Sequence, residues 1–246
     1  MTSATALRRH ATIRPGGHSV SLSALHPAHR HGRTLFLSRV FDAGEVGRVL
    51  KTGHQSRKIG KTVMKAPRRG WPIFTLTLEE RATCPRSCRE WASCYGNNMQ
   101  AAERIVPGPE LTAALEAELA ALQAKHPAGF LLRLHVLGDF YSGEYVEFWQ
   151  RMLQALPALH VFGFTAHAPA SELGRAIARL SLEQGWNRWA IRFSGAPHEL
   201  RASRVLGPGE SDHAAILCPA QTGATDCCAT CALCWQSERA IAFRRH

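Results

Sequence analysis

From Trp71 onward the apolar positions alternate between a period of two and a period near 3.6. Over residues 73–78, Phe74, Leu76 and Leu78 face one way and Thr75 and Thr77 the other, which predicts a short strand. Pro107-Gly108-Pro109 then introduces a helix over about 110–125, with Leu111, Leu115, Leu119 and Leu122 on one side. A second strand is expected over 131–137, ending in Gly138-Asp139, and a helix over about 144–156 follows with Val146, Trp149, Leu153 and Leu156 as its stripe. A third strand (160–165), a helix (171–184, burying Leu173, Ile177 and Leu180) and a fourth strand (189–193) continue the series. After Gly195 the pattern loosens into Pro- and Gly-rich chain, with a last short strand at 241–243. Such alternation implies an α/β fold built on a parallel sheet.

Polar residues interrupt these strands at a spacing of two. Arg133 and His135 are expected to share one face of the second strand, Thr165 and His167 to lie together at the end of the third, and Arg192 and Ser194 to share one face of the fourth. A buried parallel strand is ordinarily an unbroken apolar run. Polar side chains repeated toward the carboxyl ends mark the wall of a ligand cavity, where barrel enzymes place their sites. The plainer alternative is that they pair with one another or cap neighbouring loops.

The chain before Trp71 has a different character. Residues 1–33 are rich in Arg, His, Ser and Gly without a sustained period and read as a basic flexible arm; residues 34–70 read as a basic lead-in segment. Residues 1–70 hold 14 Lys and Arg against Asp42 and Glu45, so the whole formal excess of +11 resides there. A basic segment of this kind attracts phosphate backbones by counterion release, which makes nucleic acid a candidate partner. A solvated leader, or an organelle transit peptide, would share the composition. Gly53 to Thr62 imitates a phosphate-binding loop, but six residues separate Gly53 from Gly60-Lys61-Thr62 where that loop needs four. No apolar run approaches the length of a membrane span and no secretory signal is evident, so a soluble, cytoplasmic protein is expected.

The eight cysteines form two groups, Cys84, Cys88 and Cys94, then Cys218, Cys227, Cys228, Cys231 and Cys234. Disulfide frameworks belong to small exported scaffolds, so clustered thiols here point to metal. Three thiolates on a loop after a strand suit three irons of a [4Fe–4S] cluster, with the fourth iron open to a substrate or cofactor; Tyr95, next to Cys94, is placed to shield the cluster or touch a ligand. Zinc would also accept thiolates. No histidine lies between Trp71 and Lys125 to complete a zinc set. In the second group, Cys228, Cys231 and Cys234 have the spacing of ferredoxin-type loops, with the remote Cys218-Pro219 as fourth ligand and Cys227 left over.

The stretches from Thr75 to Cys88, Cys94-Tyr95-Gly96-Asn97-Asn98, Arg133 to Tyr141, and Cys218-Pro219 through Cys231-Ala232-Leu233-Cys234-Trp235 resemble the phage-associated "gene product eighty-eight" family, itself similar to radical S-adenosylmethionine (SAM) enzymes. The resemblance covers roughly residues 50–246. It implies a partial β/α barrel of parallel strands over 71–212 and a cysteine-rich auxiliary-cluster segment over 213–246. It further implies an open-iron cluster on Cys84, Cys88 and Cys94 that binds and reductively cleaves SAM, and hence a low-potential electron donor. Gly138-Asp139 would occupy the place of a Gly-Gly-Glu-like motif, with Asp139 orienting the SAM amine. Arg133, His135, Thr165, His167, Arg192 and Ser194 would line the cavity. The triplet leaves three and then five residues between cysteines, against three and two in the common radical-SAM loop. The competing class is a non-enzymatic nucleic-acid binder whose metals, iron–sulfur or zinc, brace the fold.

Overall fold

Leu111, Leu115 and Leu119 give the first long helix one wholly apolar side. In the computed structural model of the protein, which describes residues 20–196 and 201–245, that side is sealed against a sheet. The first half of the chain supplies α1 (Pro27–His31), β1 (Val40–Phe41), β2 (Lys51–Thr52), β3 (Ile73–Thr75), α2 (Glu80–Thr83), β4 (Arg104–Ile105) and α3 (Pro109–Lys125). Then come β5 (Phe130–Leu134), α4 (Gly143–Ala155), β6 (Leu159–Thr165), α5 (Glu172–Gln184) and β7 (Trp189–Ser194). The tail adds β8 (Ala202–Leu206), β9 (Ile216–Leu217), α6 (Pro219–Thr222), α7 (Cys228–Cys231), α8 (Leu233–Gln236) and β10 (Ile241–Arg244).

Among the described residues, eight strands form one sheet in the order β2-β3-β5-β6-β7-β8-β10-β9. Only β2 is antiparallel to its neighbour, and β2 and β9 are its edges, so the sheet is mostly parallel and is not closed into a barrel. The three long helices begin where local chemistry lets them. Pro109 occupies the first turn of α3, where its missing N–H costs nothing. The Ser142 and Ser171 hydroxyls accept N–H bonds from Tyr145 and Gly174 at 3.2 and 3.0 Å and so cap α4 and α5.

Strand alternation divides the core into two. Phe74, Leu132, Leu134, Val161, Trp189 and Ile191 meet the apolar stripes of α3, α4 and α5. Ile73, Leu131, Phe162 and Ala190 face the other way, and what covers them is the cysteine-rich tail, through Ala229, Ala232, Cys234 and Trp235, together with Ile59, Val63 and Trp186. The Trp235 and Phe162 rings meet at 4.5 Å between centroids. Backbone bonds fasten the basic segment to that tail: Cys228 N–H and Ala229 N–H donate to the Lys58 and Ile59 carbonyls, and Met64 N–H to that of Ala229.

The alternating core of the chain folds as expected, but its flanks do not. Residues 213–246, expected as a segment packed on the sheet, also contribute β9 and β10 to it, and β10 falls where the last short strand was expected. Residues 34–70 are likewise part of the body: Val49 and Leu50 are buried, their N–H groups donate to the Glu118 carboxylate at 2.7 and 2.9 Å, and β2 pairs with β3. Of the arm expected over 1–33, residues 1–19 lie outside the described residues, while 20–33 pack on the cysteine triplet as described below. The strand expected over 131–137 ends at Leu134.

Truncating Trp235 to Ala removes the largest tail side chain from the second core and should destabilise the protein by about 3–5 kcal/mol. Urea unfolding of the two proteins checks this; a change below about 1 kcal/mol would mean that the tail does not seal the sheet.

Candidate metal centres

The remote ligand of the second cysteine group is brought to the others by β9 and β10. Cys218 follows β9 directly and its N–H donates to the Ala242 carbonyl at 2.8 Å. Cys228 and Cys231 begin and end α7, and Cys234 lies in α8, after Ala232 reverses the chain with a φ of +63°. The result is a small recess of about 10 Å³ lined by Cys218, Cys228, Cys231 and Cys234 with Pro219, Leu233 and Ile241. Cys227 is not among the lining residues. Its sulfur packs instead toward Gly60, where a Cβ would come within 2.7 Å of it and where the φ of +86° also favours glycine.

Positive charge surrounds this recess. Cys228 and Cys234 share a hydrogen bond; that bond, together with Arg192, Arg133 and Lys58, favours the thiolate of Cys234 and lowers its pKa to about 6. Burial and the neighbouring thiolates push Cys218 and Cys231 upward, offset by Lys58 and Lys65 respectively. Arg192 is the tail's anchor. It is completely buried, and its guanidinium donates to the carbonyls of Cys234 (3.1 Å), Leu233 (3.2 Å), Arg239 (2.8 Å) and Ser237.

The triplet follows β3 and the single turn of α2. Burial is the largest influence on all three thiols and raises them, Cys94 to about 11, and the mutual charge of Cys84, Cys88 and Cys94 adds to it, as does Asp139 at Cys84 and Cys88. Free thiolates are therefore unfavourable here, and a bound cation that deprotonates them outright would offset the penalty. What gathers the loop is a buried ion network that sequence reasoning did not single out. The Glu80 carboxylate, 1% exposed, accepts from Arg104 Nε at 2.8 Å and from the Thr34 hydroxyl at 2.8 Å, and Arg81 Nη1 lies 3.6 Å away. Arg81 Nη2 donates to Asn97 Oδ1 at 2.6 Å and to the Trp91 carbonyl, which braces the chain on both sides of Cys94. Glu79 accepts from Arg33 Nε at 2.7 Å and from Thr34 N–H at 3.0 Å. The only sequence signal was the Glu79-Glu80-Arg81 run between an apolar strand and a cysteine; nothing local announced Arg104 or Asn97.

Residues 20–34 thus form a wall of the triplet, correcting the expectation of a loose arm. Leu22 N–H donates to the Ala92 carbonyl, and Arg86 donates to the carbonyls of His29 and Arg30 while stacking over Trp91 at 4.8 Å.

The polar strand-end residues divide into separate places. Gly138, with φ +88° and no room for a Cβ against Leu78 and Thr83, lets Asp139 N–H donate to the Thr83 hydroxyl at 3.2 Å. The Asp139 carboxylate accepts from Phe140 N–H (2.8 Å), Ala166 N–H (2.7 Å) and the Thr165 hydroxyl, and burial raises its pKa. His167 Nε2–H donates to the Phe140 carbonyl at 2.7 Å. Asp139, Thr165 and His167 therefore lie together beside the triplet. Arg133 and Tyr95 lie close enough to act on each other's charge, with Tyr95 45% exposed. His135 is elsewhere: regular alternation ends at Leu134, and the imidazole joins the helix-side core, 3.0 Å from the Tyr145 hydroxyl and against Phe140. The shared face expected for Arg133 and His135 is not formed. Arg192 is committed to carbonyls, and Ser194 is exposed at the end of β7, 3.1 Å from the Ser203 hydroxyl.

The basic run is mostly spoken for. Lys51 pairs with Glu103 at 2.8 Å, Arg68 is buried against Asn187 and His160, and Lys58 and Lys65 act on the tail cysteines, whereas Lys61 and Arg69 are exposed. Among the described residues no group of three or more Cys, His, Asp or Glu side chains is closed around the position of a single metal ion, and no helix is long and apolar enough to cross a membrane. Comparison of the chain with models of protein families, with curated proteins and with solved structures gives no significant match. The soft donor sets themselves, four thiols on one recess and three on one loop, suit iron–sulfur clusters.

Replacing Glu80 by Gln leaves the fully buried Arg104 without its counter-charge. A loss of about 3–5 kcal/mol in unfolding free energy is expected, and denaturant titration reads it directly. His135 supplies a pH dependence. Burial, then Arg133, lowers its folded pKa to about 3 from 6.5, so neutral His135 contributes stability fully above pH 6.5, and that contribution drains as pH falls toward 3. His135→Gln should flatten the stability profile between pH 6 and 4 by about one proton, or ~1.4 kcal/mol per pH unit; an unchanged slope would place the protonation elsewhere.

Proposed function

We propose that this is an iron–sulfur protein with two [4Fe–4S] sites, related in chemistry and in partial-barrel ancestry to radical-SAM enzymes. The observation that carries the reading is the convergence of Cys218 with Cys228, Cys231 and Cys234 on one recess, while Cys227 stays outside it. The Cys-x2-Cys-x2-Cys spacing with a remote Cys-Pro is what favours a cubane over a lone zinc ion.

Cys84, Cys88 and Cys94 would hold the second site with three thiolates. When bound, a cluster with an open iron supplies the electron that cleaves SAM to methionine and a radical able to abstract a substrate hydrogen. The chain's own contribution is positional. Asp139 has about four acceptor sites, of which three are taken by Phe140 N–H, Ala166 N–H and the Thr165 hydroxyl, leaving one for an ammonium donor. The carboxylate is held rigidly beside the triplet by those same bonds. Tyr95 and Arg133 form the rim between that carboxylate and the tail. Trp91 and residues 20–34 pack against the loop. The exposed Lys61 and Arg69 would favour a polyanionic substrate such as nucleic acid.

Anaerobic reconstitution with iron and sulfide should give about eight irons per chain. Cys218→Ala and Cys84→Ala should each remove about half of them, and Cys227→Ala should remove none. Reduction in the presence of SAM should release 5′-deoxyadenosine, lost in Cys84→Ala and in Asp139→Asn. Stoichiometric zinc in protein purified without air would reject the cluster reading. Eight irons with no SAM cleavage would leave a cluster protein of another activity.

A further inference from the structure

Residues 46–78 hold eight Lys and Arg and not one Asp or Glu. Some of these cations are spent within the fold. Lys51 pairs with Glu103, Arg68 reaches inward to Asn187 and His160, and Lys58 lies over the Phe243 ring at 5.3 Å. Lys61, Lys65 and Arg69 stay exposed and make no ion pair among the described residues. Backbone pairing puts these three on one short ribbon. Ile73 N–H donates to the Lys61 carbonyl at 2.9 Å, and Thr62 bridges Pro72 in the antiparallel sense. Val63 N–H donates to the Trp71 carbonyl at 2.9 Å and Gly70 N–H to the Val63 carbonyl at 2.8 Å, which closes the turn. Between them, residues 64–70 are all exposed except Arg68.

The ribbon is fastened from behind at three places. Arg68 anchors it to Asn187, Met64 N–H donates to the Ala229 carbonyl at 2.9 Å, and Gln236 Nε2 donates to the Ala66 carbonyl at 2.8 Å. Three cations are thereby carried on a fixed backbone, so little ordering entropy is lost when a partner meets them. What else the ribbon exposes selects the partner. Of the large apolar side chains in residues 61–72, only Met64 is exposed, whereas a protein partner or a lipid surface wants a broader apolar contact. Single strands are ordinarily gripped by exposed rings on which bases stack. The ring of this ribbon, Trp71, is instead turned onto His160 at 4.8 Å and against Gly129. A polar, positively charged surface without a stacking platform suits phosphate oxygens of a duplex.

We propose that residues 61–72 are a docking ribbon for the phosphate backbone of duplex nucleic acid, in which Lys61, Lys65 and Arg69 each answer a phosphate without reading sequence. The inference rests on the polyanionic-substrate part of the reading above and needs neither cluster. It narrows the contact from the basic residues 1–70 as a whole to three side chains.

The test is an anisotropy titration of the full chain with short DNA duplexes of unrelated sequence over a range of salt. Combining Lys61→Gln, Lys65→Gln and Arg69→Gln should weaken binding about 100-fold at about 0.1 M salt and make the logarithmic salt slope shallower by about 2–3, alike for every sequence. Combining Arg151→Gln, Arg175→Gln and Arg179→Gln takes the same charge from exposed positions of α4 and α5, on the opposite sheet face, and should change affinity by less than about threefold. Equal losses in the two variants, or no loss in the first, would overturn the assignment. Tighter binding of single-stranded DNA, or of polyglutamate as a stand-in for an acidic protein, would overturn the choice of partner. If the first variant does not fold, the single substitutions decide, each expected to reduce the slope by about one. Fewer than two clusters per chain would reject the cluster reading and leave this one standing.

Discussion

A mostly parallel sheet has two faces to bury, and here only one of them is given to helices. The other is closed by the segment that carries the metal-ligand candidates. Trp235, Ala229, Ala232 and Cys234 are core residues as much as site residues, and the five-donor fork of Arg192 holds their turns in place by filling carbonyls that short helices leave without partners. Site and core are therefore one packing problem. The recess cannot widen without lifting Trp235 from Phe162, and the sheet cannot lose the tail without exposing Ile73, Leu131 and Ala190.

Three buried or half-buried arginines show how position decides the use of a single residue type. Arg104 is neutralised by Glu80, Arg192 is absorbed by backbone carbonyls, and Arg133 is left with two aromatic faces and one carbonyl. Burying a charge is expensive unless it is answered. The first two are answered locally and become structural, while the third lies over the Phe162 and Phe164 rings. Glu80 and Arg104 lie 24 residues apart, and Arg192 and Cys234 lie 42 apart.

That separation explains what the sequence could and could not tell. The three long helices and the four strands β3, β5, β6 and β7 were legible because each repeats a burial period over several residues, as Leu111, Leu115 and Leu119 do. The clustering of the thiols was legible because their spacing is a local property. β8 and β9 were not: β8 shows no alternating burial before Gly207-Pro208-Gly209, β9 is two residues long, and β10 arrives between them. His135 was misplaced because the strand expected over 131–137 was extended past the true end of β5 at Leu134. Residues 20–33 were taken as loose because the groups that hold them, Arg86, Ala92, Glu79 and Asn97, come from 46 or more residues downstream. The basic character of residues 51–69 was read as a free stripe, whereas much of it answers Glu103 and the tail thiols.

One arrangement in the tail bears on how the protein is made. Cys218 is fixed through Ala242, and β9 has no sheet partner other than β10, which lies beyond all four candidate ligands of the recess. A ribosome must therefore release residues 240–244 before the first of those ligands has anything to hold it. The recess is thus assembled only after translation of the segment is finished.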